Sequence, residues 1–337
     1  MNKEDATILT EALEMEAEAI IREPVLTGPK RQHILPRFYL EGFSRDNILA
    51  VYDRKTNEVR MQQPENTGVI GHFYTVTDEH GRKRYELEQV LSEFEDKAAP
   101  VIKKLAAGEN LTDNERCDMA IFIAMGMFRT PDMIDSLKAA NGHMVRRMTQ
   151  LTFRDVEQVK AILRNKPDAP TTEEELEKEA KDLVEFVKND QYEIETSHHW
   201  ALGMAWKMFS NVAPILSGRD WLVVHRDNDK KSFITTDAPL VLTTVAPREN
   251  TFWGVGFANA DALILFPLTE SCALVIFGSN GGFAHKTIGA EQIRNFNLMV
   301  ADRCQRFVVG RDAALLKSIA SFLCLGEKRW QPKMQAG

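Results

Sequence analysis

WLVVH (221–225), SFITT (232–236), PLVLTTV (239–245), ALILFPL (262–268) and CALVIFG (272–278) are short runs dense in β-branched and large apolar residues. Polar, Gly- or Pro-containing segments separate them. That texture predicts strands joined by turns, and their consecutive order predicts a mostly antiparallel C-terminal sheet. A helix is expected at about 290–302, then a strand in RFVVG (306–310), then a last helix over about 312–323.

Upstream, residues 85–216 carry almost only helical spacing. One helix is expected over about 86–106. Thr112 and Glu115 form a capping-box pattern that starts a second, which runs to Phe128. Thr130 followed by Pro131 reads as an N-cap and first helical position, so a third begins there. Asn165–Pro170 is a break. The segment 171–190 and the stretch Tyr192–Leu216 supply further helices, the last one ended by Ser217–Gly218. Earlier still, NILAVYDRKTNEVRMQ (47–62) reads as a β-hairpin, with strands Ile48–Asp53 and Glu58–Met61. A short strand is expected near Phe73–Val76, closed by a turn at His80–Gly81. Residues 3–22 have an apolar stripe and an acidic face, which predicts an amphipathic N-terminal helix within 1–30. Runs of one element type predict an α+β fold, against a doubly wound one. We expect a single composite domain over 31–330, with sheet-bearing parts at 31–84 and 218–323 and a helical insertion at 85–217.

The 337 residues are 44% hydrophobic and 27% charged, which excludes a disordered chain and a coiled coil. A net charge of -7 argues against a surface uniformly built for nucleic acid and leaves a local basic groove open. No apolar run approaches the length of a membrane span, and the N-terminal sequence is acidic, without a basic leader. A cytoplasmic protein is the expectation. Cys117, Cys272, Cys304 and Cys324 lack zinc or redox spacing and read as buried reduced thiols. The acidic N-terminal helix is either a solvated face or a docking element for a partner or a second subunit.

Phosphate-loop, dinucleotide, nucleophile-elbow and zincin motifs are absent from the sequence. His198 and His199 are adjacent on a helix and point about 100° apart, so they cannot share a metal from one face. SNGGF (279–283) reads either as an anion-binding run of amides or as an ordinary loop.

Four features remain. His33 precedes an aromatic-rich segment and suits a general base, a metal ligand or a core histidine bonded to backbone. Glu88 and Glu95 lie seven apart on one helix, about 10 Å along the axis. They either bracket a cation or form a solvated stripe. Arg129 ends an uncharged helix, so its guanidinium must find water, helix carbonyls or a carboxylate. Asp237 sits at a break before Pro239, as a site carboxylate or as a turn cap.

These places also carry a resemblance. HILPRFYLEGF (33–43), VYDR (51–54), HFYTV (72–76), the helix LEQVLSEFEDKAAPVIKKL (87–105), Arg129–Thr130–Pro131 and FITTDAPLV (233–241) occur in order. Over about 31–310 the chain resembles the bacterial family of domain of unknown function 4238. Pro267–Thr269 and Asn295–Arg303 match its later segments loosely. Thr236 and Ala238 depart from the serine and asparagine usual there. The resemblance implies a bacterial or phage-related origin and singles out His33, Glu88, Glu95, Arg129 and Asp237.

Two functions follow as expectations. One is a hydrolase acting on a phosphate-containing or nucleic-acid substrate in bacterial or phage conflict. His33 would then be base or ligand, the carboxylates would hold a divalent metal, and Arg129 would neutralise developing charge. The other is a non-enzymatic protein that binds a ligand or partner and in which the same residues form a structural network. A third expectation is a scaffold acting through homo-oligomer or partner surfaces.

Overall fold

A computed structural model describes residues 24–167, 170–245 and 255–323. The expected helix at 3–22 and Cys324 lie outside the described residues. The described residues divide into two compact units, one formed by those within 24–133 and 202–323, the other by those within 134–201. No helix among the described residues is long and apolar enough to cross a membrane.

In the first unit the early elements are β1 (Arg31–His33), α1 (Arg37–Glu41), β2 (Leu49–Asp53), β3 (Glu58–Gln62), β4 (Val69–Gly71), β5 (Val76–Thr77) and β6 (Lys83–Arg84). The hairpin β2–β3 turns through Asn57, which holds a positive φ of 58°. Asn tolerates that conformation, and its side chain accepts from the Tyr52 hydroxyl at 3.1 Å. Phe73 and Tyr74 are not in the expected strand. The Tyr74 amide donates instead to the side chain of fully buried Gln32, at 2.7 Å, so the ladder breaks there.

Two long helices follow, α2 (Glu86–Ala106) and α3 (Asp113–Phe128). The Thr112–Glu115 capping box forms as expected. Met119–Met125 are buried on every side of α3, as an uncharged helix must be. Next comes α4 (Pro131–Thr152), with the Thr130 hydroxyl accepting from the Met133 amide at 3.3 Å. In the second unit α5 (Val156–Arg164) and α6 (Glu173–Lys188) pack through Val159, Leu163, Leu176 and Ala180. The side chains of Asp155 and Thr172 cap their N-termini. Helix α7 (His198–Ser217) starts six residues later than the expected Tyr192, where the Ser197 hydroxyl accepts from the Trp200 amide.

The C-terminal strands are β7 (Asp220–Arg226), β8 (Thr235–Thr236), β9 (Val241–Thr244), β10 (Ala262–Pro267), β11 (Cys272–Phe277) and β12 (Phe283–Ile288). Helix α8 (Ala290–Asp302), β13 (Phe307–Gly310) and α9 (Ala313–Ala320) end the described chain. A five-stranded sheet has the order β12-β7-β11-β10-β9, antiparallel except where β12 runs parallel to β7. A four-stranded sheet has the order β3-β2-β13-β8. The early hairpin therefore joins late strands, in a sheet of its own. Its core packs Ala50, Tyr52, Ile234 and Val308 against Ala301 of α8 and Leu316 and Ile319 of α9.

Tyr39 of α1 ties the two sheets together. Its hydroxyl donates to the Pro267 carbonyl at 2.9 Å and lies 2.8 Å from the Thr235 hydroxyl. The ring sits in an aromatic cluster with Phe43, Phe122 and Phe266. The aromatic-rich segment after His33 is thus the core of this unit.

Candidate functional site

The site is built where β1, the loop after β4 and the helices α2 and α3 meet. Arg129 caps the C-terminal end of α3 and is only 5% exposed. A guanidinium at that depth needs acceptors on every side. Nη1 donates to the Glu95 carboxylate, Nη2 donates to the His33 carbonyl at 2.6 Å, and Nε donates to the Tyr74 hydroxyl at 3.2 Å. The Tyr74 hydroxyl in turn donates to the Arg129 carbonyl at 3.2 Å, which satisfies one of the last carbonyls of α3. Burial opposes the charge of Arg129. Tyr74 and Glu95 outweigh it and hold the guanidinium above its ordinary value. Burial also pushes the Tyr74 phenol up to about 12, against the pull of Arg129.

Glu95 reaches this cluster because it sits on the inward face of α2. Glu88, two turns earlier, stands on the same face without an ion pair among the described residues. Burial pushes its carboxyl up to about 7; Arg129 pulls it down and Glu95 adds to the rise. The histidine contributes mainly through its backbone. The His33 ring donates from Nε2 to the Glu65 carbonyl at 3.2 Å, and half-burial lowers its pKa. A small pocket of about 30 Å³ adjoins Arg129 and Tyr74, walled by Leu87, Leu91, Trp206 and Phe209. It has room for little more than water.

Asp237 makes none of these contacts. Its carboxylate accepts from the amides of Gln305, Arg306 and Phe307 at 3.0, 2.6 and 3.2 Å. Its own amide donates to the Phe307 carbonyl at 3.1 Å. It therefore anchors the entry of β13 against the end of β8. Burial pushes its carboxyl up to about 6 although those three amides pull it down, and Asp132 adds to the rise. The neighbouring Cys304 thiol is pushed up by burial and by Asp237. Among the described residues, no three His, Cys, Asp or Glu side chains converge in a way that would hold a metal ion. The structure thus joins His33, Glu95 and Arg129 by hydrogen bonds and sets Glu88 beside them, while the hydrogen bonds of Asp237 run to the start of β13.

Sequence reading missed Tyr74, Gln32 and Arg116. Gln32 bonds Tyr74 N and Thr75 Oγ1, and so presents the phenol to Arg129. A glutamine next to the His33 motif carried no signal of its own. Arg116, on the first turns of α3, donates to the carbonyls of Ser217 and Arg219 and lies 4.9 Å over the Trp221 ring. The SNGGF amides already hold an anion of the chain. Asp220 accepts from the Gly282 amide at 2.7 Å and the Asn280 amide at 3.3 Å. Gly278 is required there, because a Cβ would fall onto that carboxylate.

Residues 31–314 match the family model described as protein of unknown function (DUF4238). The chain belongs to that family. No curated protein and no solved structure matches it. In this DUF4238 chain the family segments are the structural joints just described. HILPRFYLEGF supplies Tyr39 and the His33 carbonyl, HFYTV supplies Tyr74, and the R-T-P end of α3 supplies Arg129.

Proposed function

We propose that this DUF4238 chain is a non-enzymatic binding protein in which the His33–Tyr74–Glu95–Arg129 cluster is a structural clasp. One observation carries the reading. Each of the three nitrogens of Arg129 already donates to a group of the chain itself. Three of its five N–H donors are spent in this way, one on each nitrogen, which locks the guanidinium plane to the chain, whereas one held for substrate would turn a nitrogen outward. The carboxylate of Asp237 is spent in the same way on three amides. Free thiols at Cys117, Cys272 and Cys304 support a reducing, cytoplasmic setting in a bacterium.

A hydrolase in bacterial or phage conflict is the second reading, and one observation favours it. A carboxyl held at about 7, as Glu88 is, exchanges protons near neutral pH as a general acid or base must. The two readings separate on bis(4-nitrophenyl) phosphate with Mg²⁺ or Mn²⁺. The binding reading expects no nitrophenolate above the metal-only control. Metal-dependent release that disappears in folded Glu88→Gln and Asp237→Asn proteins would overturn it.

A further inference from the structure

The loop after β7 and the start of α9 enclose a cleft of about 250 Å³, lined by Lys230, Lys231, Ser232, Arg311, Asp312 and Ser318 among others. The ion pairs that adjoin its lining through Arg311 are charge-balanced. Arg226 pairs with Asp229 at 2.6 Å and Glu270 at 3.2 Å, and Arg311 pairs with Glu270 at 3.0 Å. Asp312 is spent as the N-cap of α9, accepting from the Leu315 amide at 2.8 Å, and lies 3.6 Å from Arg311 Nε. Lys230 and Lys231 at the cleft wall have no ion pair among the described residues. The balance is therefore net positive.

A second observation points the same way. Ser232 is 1% exposed, and its hydroxyl has no hydrogen-bond partner among the described residues. Its carbonyl is held by Asn297 Nδ2 at 2.8 Å, so the backbone cannot shift to find one. Buried hydroxyls are seldom left unpaired, and Ser232 belongs to the lining of the cleft. The amides of Ala313 and Ala314 add donors, since a helix start leaves them without intrahelical partners and Asp312 takes only those of Leu315 and Leu316.

We propose that this cleft binds a phosphate group, carried by inorganic phosphate or by a small phosphomonoester. Lys230 and Lys231 supply the charge. The Ser232 hydroxyl and the amides that open α9 supply directed donors. The site is separate from the Arg129 clasp, and it rests on the binding-protein reading only for its purpose in the cell.

Thermal unfolding and calorimetric titration of the whole chain test it, with inorganic phosphate, ribose 5-phosphate, and sodium chloride at matched ionic strength. Saturable stabilisation by either phosphate and none by chloride is expected. Lys230→Gln with Lys231→Gln should weaken binding about tenfold or more, and Ser232→Ala several-fold, from unliganded proteins that melt like the wild type. A tighter fit for ribose 5-phosphate supports the proposal with a phosphomonoester as ligand; equal affinities support it with free phosphate. Stabilisation that chloride reproduces, or that the double variant retains in full, overturns it. Loss of phosphate binding would leave the binding-protein reading standing. Turnover in the nitrophenyl assay would overturn that reading and leave the cleft standing.

Discussion

The Arg129 clasp and the Lys230–Ser232 cleft are both cationic, and they use their charge in opposite ways. In the clasp one guanidinium is buried and every nitrogen is matched by an acceptor from β1, α2 or the loop before β5. In the cleft two ammonium groups stand near a buried hydroxyl, and among the described residues neither the hydroxyl has a hydrogen-bond partner nor the ammonium groups a carboxylate. A closed network of this kind specifies how elements meet. An open one has capacity left for something outside the chain. Charge type alone does not distinguish them; whether each cationic nitrogen has an acceptor in the chain does.

The widest test of that contrast is Arg129→Met. It leaves the Glu95 carboxylate facing a low-dielectric wall and releases the His33 carbonyl and the Tyr74 hydroxyl. Breaking a buried pair from one side costs about 3 kcal/mol. Urea or thermal unfolding should register that loss, and an effect below about 1 kcal/mol would mean the clasp holds nothing together. Arg129→Lys keeps the charge and reaches fewer acceptors, so it should fall between.

Tyr39→Phe and Tyr74→Phe are expected to come next, at about 1–2 kcal/mol each, because each strips a buried hydroxyl from groups that keep their desolvation cost. Tyr39 joins the two sheets and Tyr74 joins the clasp. Their losses should add within a few tenths of a kcal/mol if core and clasp are independent. Unfolding of the double variant measures this.

Much of this architecture was legible because its causes are local. The capping box at Thr112–Glu115, the Thr130–Pro131 start of α4 and the turn at Asn57 are decided within a few residues. Strand β12 was not legible. FAHKTI alternates exposed and covered positions and becomes a strand only by running parallel to β7, about sixty residues earlier. Glu95 and Arg129 could be flagged separately, but that one neutralises the other depends on how α2 packs against α3. Tyr74 reads as a strand residue until Gln32 is seen to take its amide. The cleft had no signature at all. Lys230–Lys231 looks like any polar turn, and only the burial of Ser232 between them and α9 sets it apart.

The pH dependence of Glu88 sharpens the contrast at its edge. Its folded carboxyl sits at about 7, above the ordinary value near 4.5. The folded state therefore binds the proton more tightly than the unfolded chain. Stability from this group is complete below about pH 4.5 and is lost as pH rises through about 7. Glu88→Gln removes the dependence and should leave the protein more stable than wild type at pH 8, by on the order of 1 kcal/mol, since partial exposure discounts the full shift. Parallel urea melts at pH 5 and pH 8 check the sign. Wild-type stability that rises between those pH values, with the variant following the same slope, would show that Glu88 is ionised in the fold at both and contributes nothing to the dependence.

The smallest effect is expected at the cleft. Lys230→Gln and Lys231→Gln remove charges that have no ion pair among the described residues, so unliganded stability should change by less than about 0.5 kcal/mol. That near-silence is itself diagnostic when set beside Arg129→Met. A cation that the fold needs announces itself in the melting curve, whereas a cation held for a ligand does so only when phosphate is added. If the lysine variants instead cost as much as Tyr39→Phe without ligand, these side chains are structural. The cleft would then be a second clasp whose acceptors lie along the backbone of the loop after β7.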